Sequence, residues 1–151
     1  MSGLIGFRRF ACSLLMGLGL GSACFGQSKL LPPDQAFHVA ARQTGAQTVE
    51  LVYSMEPGYY LYRDRFSFKT DSAKAKVVAV DMAPPKRKHD LALDKVVEYF
   101  DEAVTVKVTL QVPAIASKTP IQLVTLAQGC AQVGVCYPPI SRSFVVEGSR
   151  P

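Results

Sequence analysis

Tryptophan is absent from the 151 residues, and the only histidines are His38 and His89. The missing tryptophan excludes the Cys–Trp–Cys core of antibody domains. Two histidines leave a zinc site short of ligands. Long apolar runs are scarce too: beyond the first 26 residues no stretch nears the roughly 18–20 apolar residues of a membrane-spanning helix. No window of about 12 residues repeats its apolar positions at helical spacing, and there is no internal repeat or low-complexity linker. The net formal charge is +5, or +3 without Arg8 and Arg9. The one basic cluster, Lys86, Arg87, Lys88 and His89, lacks interleaved aromatics, so it reads as a solvated loop and no nucleic-acid partner is expected.

The beginning of the chain follows a different logic. Arg8 and Arg9 precede an apolar, Gly-rich stretch from Phe10 to Leu20, and small residues run from Gly21 to Gly26. Charge, short apolar core and small residues in that order read as a secretory signal peptide, residues 1–26. A single mature domain, residues 27–151, is then expected, about 125 residues long and large enough for its own core. The alternative is a lipoprotein signal with Cys24 acylated, the one route to membrane attachment; Gly21, Ser22 and Ala23 lack the leucine usual in such signals. Export removes Cys12 and Cys24 and leaves Cys130 and Cys136, an even number suited to one disulfide in an oxidising compartment.

What is abundant is short, β-branched or alternating runs. Candidate strands are Ala36–Gln43, Thr48–Met55, Tyr59–Tyr62, Arg65–Lys69, Lys76–Met82, Val96–Phe100, Val104–Val112, Ile121–Ala127 and Ser141–Val146. In VTVKVTLQV the apolar Val104, Val106, Val108, Leu110 and Val112 alternate with Thr105, Lys107, Thr109 and Gln111, the period of a half-buried strand. Turn signals such as Glu56-Pro57-Gly58, Ala83-Pro84-Pro85 and Tyr137-Pro138-Pro139 separate the runs. Residues Gln27 to Pro33 read as an extended entry segment. The pattern points to an all-β fold, an antiparallel β-sandwich.

Cys130 and Cys136 lie in CAQVGVC, at the expected tip of a hairpin between the last two strands. Gly129 and Gly134 permit a reversal tight enough for the usual Cα separation of a disulfide, roughly 4.4–6.8 Å. A ring this small stabilises a fold by only about 2 kcal/mol, a weak staple. Yet five intervening residues is not the CxxC spacing of the familiar redox motif. On spacing alone a structural bridge therefore comes first, redox exchange second and metal binding third. Two thiolates suit Cu(I), but no Met-rich or His-rich tract supports it.

The wider segment QGCAQVGVCYPP, Gln128 to Pro139, resembles the active-site hairpin of the N-terminal periplasmic (alpha) domain of the thiol:disulfide interchange protein DsbD family, with pattern QGCA-x-x-G-x-CYPP. PGYYLYRDR (Pro57 to Arg65) and LLPPDQAF (Leu30 to Phe37) extend the resemblance in the same order. It implies an immunoglobulin-like sandwich in the periplasm. The implied activity is that of a thiol–disulfide oxidoreductase without a cofactor, passing reducing equivalents from a thioredoxin-like donor to thioredoxin-fold partners, among them disulfide isomerases and cytochrome c maturation proteins. By the same resemblance Cys136 forms the intermolecular mixed disulfide, Cys130 resolves it, and Tyr60 and Tyr62 lie beside the sulfurs. Read alone, those tyrosines look like strand packing.

The resemblance weakens at the loop that caps the disulfide in the family. The stretch His89 to Phe100 keeps His89, Lys95 and Tyr99 but is one residue shorter and has no aromatic before Val97. Leu93, or second Leu91, is expected to shield the disulfide, with Asp90 and Asp94 as acidic neighbours that raise the thiol pKa. An ordinary charged loop is the plainer reading. Since the chain ends at Pro151, either a stand-alone domain or a fragment is expected. The competing functions are a non-redox binding module with a structural disulfide and a periplasmic Cu(I)-binding protein.

Overall fold

The alternation in β8, Val104–Gln111, sets the inside and outside of the molecule. Val104, Val106, Val108 and Leu110 are buried, while Thr105, Lys107 and Gln111 are exposed. The structure, a computed structural model, describes residues 30–73, 75–90, 93–113 and 119–147. The signal-peptide reading, Cys12 and Cys24 lie outside the described residues.

Among the described residues the other strands are β1 Phe37–Gly45, β2 Thr48–Met55, β3 Tyr59–Tyr62, β4 Ser67–Thr70, β5 Lys76–Met82, β6 Lys86–Asp90, β7 Lys95–Phe100, β9 Ile121–Ala127, β10 Gly129–Ala131 and β11 Ile140–Val146. They form three antiparallel sheets, ordered β1-β2-β8-β5, β10-β3-β7-β6 and β11-β9-β4. The architecture is the expected all-β, immunoglobulin-like sandwich. The core unites Val49, Leu51 and Tyr53 of β2 and the inward face of β8 with Leu61 of β3, Phe100 of β7, Leu123 of β9 and Val146 of β11. Leu51, Val106, Val108, Leu110 and Leu123 are fully enclosed. Burying such a side chain stabilises the fold by roughly 1.5–3 kcal/mol.

Two devices join the sheets at their ends. The Gln43 side chain bridges β1 to the residue after β11, its Nε2 donating to the Glu147 carbonyl at 2.9 Å and its Oε1 accepting from the Glu147 N–H at 3.0 Å. The entry segment is clamped by tyrosines. The Leu31 N–H donates to Tyr59 Oη at 2.8 Å, and Tyr137 Oη donates to the Leu31 carbonyl at 2.7 Å.

The structure departs from the sequence reading in four places. The entry segment does not stay extended to Pro33: a helical turn, α1 Pro33–Ala36, begins there with Pro33 in its first turn, where a missing N–H costs nothing. Arg63–Arg65 forms a 3-10 turn. The three-residue β10 went unread because it is too short to show a period. The correction with most consequence is Lys86–His89, which is not a solvated loop but most of strand β6. It pairs with β7 from Lys86↔Tyr99 to Asp90↔Lys95. Lys86 Nζ meets Asp101 and Glu102 at 2.8 and 2.6 Å, and Arg87 meets Glu98 at 2.7 Å, which reduces repulsion along the run. A charged edge strand also resists pairing with another chain.

Neighbouring positions on β2 test this division of faces. Leu51→Ala is expected to cost about 2–5 kcal/mol in urea unfolding, because it opens a cavity in the enclosed core. Val52→Ala, next in sequence but 38% exposed, should cost under about 1 kcal/mol. Equal losses at both positions would contradict the register.

Candidate functional site

The expected hairpin exists, since Ala127 of β9 pairs with Ile140 of β11. Its tip leaves that sheet, however, and adds β10 to the edge of another. Gly129, Cys130 and Ala131 pair with Leu61, Tyr60 and Tyr59 of β3. The Tyr62 N–H donates to the Gln128 carbonyl at 3.1 Å, and the Gln132 N–H donates to the Gly58 carbonyl at 2.8 Å. Gly129 is required by this approach: a Cβ there would lie 2.6 Å from the Tyr60 carbonyl oxygen and strike the Phe37 ring. The tip reverses through a turn in which the Gly134 N–H donates to the Ala131 carbonyl at 2.9 Å, with Gly134 at φ +92°.

Cys130 and Cys136 form a disulfide across this reversal. They face each other as an antiparallel pair, flanked by Ala131 N–H to Val135 carbonyl at 2.8 Å and Tyr137 N–H to Gly129 carbonyl at 3.0 Å. That pattern makes them a non-hydrogen-bonded pair, the kind in which strands lie closest. It accounts for a Cα separation of 3.9 Å, shorter than the roughly 4.4–6.8 Å usual for a disulfide. The two residues differ sharply in access: Cys130 is 0% exposed, whereas Cys136 is open to solvent.

Cys130 packs with Tyr60, Tyr62 and Val97, and Tyr99 adjoins them. Tyr60 stands edge-on to Tyr62 and Tyr99, with ring centroids 5.2 and 5.7 Å away. A polar chain runs behind the rings. Tyr60 and Tyr62 hydroxyls lie 3.2 Å apart, and Tyr62 Oη donates to Asp90 Oδ2 at 2.6 Å. Asp90 Oδ1 accepts the Leu93 N–H at 3.1 Å. Burial, then the bonds to Asp90 and Tyr60, push the Tyr62 phenol well above its ordinary range. Tyr60, Tyr62, Lys88, His89, Asp90, Gln132, Val133, Gly134 and Cys136 line one open pocket of about 380 Å³.

The structure thus gathers Cys130, Cys136, Tyr60, Tyr62 and Asp90 at one place. Asp94 stands away from that pocket; its carboxylate is 3.5 Å from His89 Nε2 and largely in solvent. Leu93 is 46% exposed, and Leu91 lies outside the described residues. Sequence reasoning missed Lys88, whose Nζ sits 3.3 Å from the centre of the Tyr60 ring and 4.8 Å from that of Tyr99. Lys-Arg-Lys-His-Asp is polar at every position, so no alternation in the sequence marked which face Lys88 would take. Among the described residues no three of His, Cys, Asp and Glu gather in a metal-holding group.

Two outcomes follow from this geometry. Gly129→Ala should destabilise the oxidised protein by about 1–3 kcal/mol in urea unfolding, since the backbone carbonyl it meets cannot rotate away. Tyr62 should also stay protonated through pH 11 in the folded protein. Raising a phenol above its unfolded value of about 10 stabilises the fold fully below pH 10 and less as pH rises beyond it. Tyr62→Phe should leave the native tyrosinate absorbance at pH 11 unchanged and lower that of the urea-unfolded chain by one of its 6 tyrosines. A lowered native signal would contradict the Asp90-linked arrangement.

Residues 27–148 match the family model described as "Thiol:disulfide interchange protein DsbD, N-terminal". The chain is 38% identical over 117 residues to a DsbD of Ralstonia nicotianae, an alignment covering 78% of this chain and 19% of that protein. It is 36% identical over 132 residues to DsbD 1 of Pseudomonas aeruginosa, covering 87% and 22%. It therefore spans about a fifth of the length of these relatives. Among solved structures, the reduced DsbD N-terminal domain of Neisseria meningitidis superposes with a TM-score of 0.67 at 29% identity, covering 80% of this chain and 92% of that one. The same domain in complex with the PilB N-terminal domain gives 0.64 at 25%, covering 80% and 90%. With the family model matching nearly all of the sandwich and its cysteine hairpin, this chain belongs to the DsbD N-terminal domain family.

Proposed function

We propose that this domain is a thiol–disulfide oxidoreductase that carries two reducing equivalents in the Cys130–Cys136 pair, with residues 27–151 as the exported, periplasmic unit. The observation that carries the reading is the unequal access of the two sulfurs within the family-matched hairpin: Cys136 is open and Cys130 enclosed. Exchange needs access to the sulfur that is attacked, and unequal access decides which sulfur that is. Loading begins when a donor thiolate attacks Cys136 Sγ; the S–S bond breaks and Cys130 leaves as a thiolate among Tyr60, Tyr62 and Val97. The donor's second thiolate then attacks the donor sulfur of the mixed disulfide and releases Cys136. Delivery runs the other way. Cys136 thiolate attacks an acceptor disulfide, and Cys130 thiolate attacks Cys136 Sγ and frees the reduced acceptor. Two electrons move in each direction and no cofactor takes part.

The partners that suit this chemistry are thioredoxin-fold proteins, both the donor and acceptors such as disulfide isomerases and cytochrome c maturation proteins. The solved complex between the DsbD N-terminal and PilB N-terminal domains of Neisseria meningitidis supports a docked protein partner for this domain. Tyr60 and Tyr62 wall the sheltered sulfur. The turn between β6 and β7 is the segment proposed to shield the pair when a partner is absent, through Leu93 or, second, Leu91; of its two acids Asp90 lines the pocket, and Asp94 faces solvent beside His89.

The test is trapping. Cys130→Ser should accumulate a mixed disulfide through Cys136 with an oxidised thioredoxin-fold protein, detected by non-reducing electrophoresis and peptide mass. Cys136→Ser should trap none. A potential for the pair below about −300 mV would mark a structural bridge and sink the carrier reading.

A further inference from the structure

One cation of the basic run lies against the tyrosine rings of the site rather than beside a carboxylate on the outer edge. Lys86 and Arg87 are engaged by Asp101, Glu102 and Glu98 on the outer edge. Lys88 is half-buried, opposite Val97 in register, and its ammonium rests on the Tyr60 ring at 3.3 Å. Tyr60 is in turn the cross-strand partner of Cys130. Lys88 and Cys136 line the same pocket. An ammonium seated on a ring face is held by the ring's negative quadrupole, so its position is more defined than that of a free surface lysine.

We propose that Lys88 supplies the positive charge that favours the Cys136 thiolate, and so tunes the exchange step; the inference rests on the carrier reading. In delivery Cys136 must be a thiolate to attack, and at the end of loading it leaves as one. A nearby cation lowers a thiol pKa, enlarges the thiolate fraction and improves the leaving group. Nucleophilicity falls in part as pKa falls, so the gain in rate is smaller than the gain in thiolate. Lys88 touches the Tyr60 ring, not the reacting atoms, and is a positioning residue for charge.

The groups facing the pocket set the balance. Tyr60 and Tyr62 come from β3, Tyr99 flanks Lys88 from β7, and His89 and Asp90 belong to β6 itself. Asp90 opposes Lys88 in sign, and its two carboxylate oxygens receive Tyr62 Oη and the Leu93 N–H. His89 lies beside the Asp94 carboxylate. The hairpin contributes Gln132, which is neutral.

The experiment follows alkylation of Cys136 by iodoacetamide against pH in the full, pre-reduced chain, with the labelled peptide identified by mass. Lys88→Met keeps an apolar stem over Tyr60 and removes the charge; Lys88→Arg keeps the charge. The midpoint should rise by about half to one pH unit in Lys88→Met and return toward wild type in Lys88→Arg. The rate at pH 7 should fall roughly twofold to threefold in the Met variant. A Met variant with the wild-type midpoint overturns the proposal, as does an Arg variant displaced as far as Met, which would mark a packing role. If wild-type Cys136 reacts and only the Lys88 effect is missing, the carrier reading stands. Inert wild-type Cys136 overturns both.

Discussion

The arrangement of the site depends on one strand pairing of three residues. Gly129, Cys130 and Ala131 belong by chain order to the β9–β11 hairpin, yet they hydrogen-bond to β3 in a different sheet. Leaving one sheet for another exposes backbone groups unless each finds a partner, and an unpaired buried amide is costly. Here the bonds from Tyr62 to Gln128, Gln132 to Gly58, Ala131 to Val135 and Tyr137 to Gly129 supply those partners. The close approach leaves no room for a side chain at Gly129, so the glycine of the family motif is a steric requirement of the pairing. The pairing also decides which sulfur is inside. Cys130 lies in the added strand, against the tyrosines, and Cys136 on the return limb, facing solvent.

The pairing is independent of the disulfide to a useful degree. A bridge that closes so short a loop contributes only about 2 kcal/mol through chain entropy. The enclosed apolar residues of β2, β8 and β9 each contribute a similar amount. Opening the bridge therefore removes a small part of the stabilisation and leaves β10 held by its backbone bonds to β3. A fold that needed its disulfide could not cycle it. This one places the bridge at the end of a sandwich whose core lies elsewhere.

Most of the sandwich was legible in the chain because burial imposes a period of two. Thr48–Met55, Tyr59–Tyr62, Lys76–Met82 and Ile121–Ala127 match their strands end for end. Where that signal is missing, sequence reasoning fails. β6 reads Lys-Arg-Lys-His-Asp, and composition alone says loop; what makes it a strand is β7 alongside and the carboxylates of Glu98, Asp101 and Glu102. β10 is only three residues long. For the site, the motif located both cysteines and Tyr60 and Tyr62, but it could not rank the sulfurs by access. The Tyr60–Tyr62–Asp90 chain was hidden for another reason: its members are 28 residues apart and meet only when β3 and β6 flank β7.

The pocket joins two kinds of surface. Val133 and Val135 flank the turn before Cys136 and are 74% and 42% exposed, a cost in water that covering would relieve. Behind them stand Asp90 and Lys88, of opposite sign, held by a tyrosine hydroxyl and a tyrosine ring. In an open pocket water screens both charges from the sulfur. A protein seated on the two valines would displace that water, and the same charges would act through a lower dielectric. Their influence on Cys136 is then greatest at the moment of contact. On the proposed role of Lys88, apolar side chains on the hairpin and charges on the neighbouring edge strand would couple docking to reactivity.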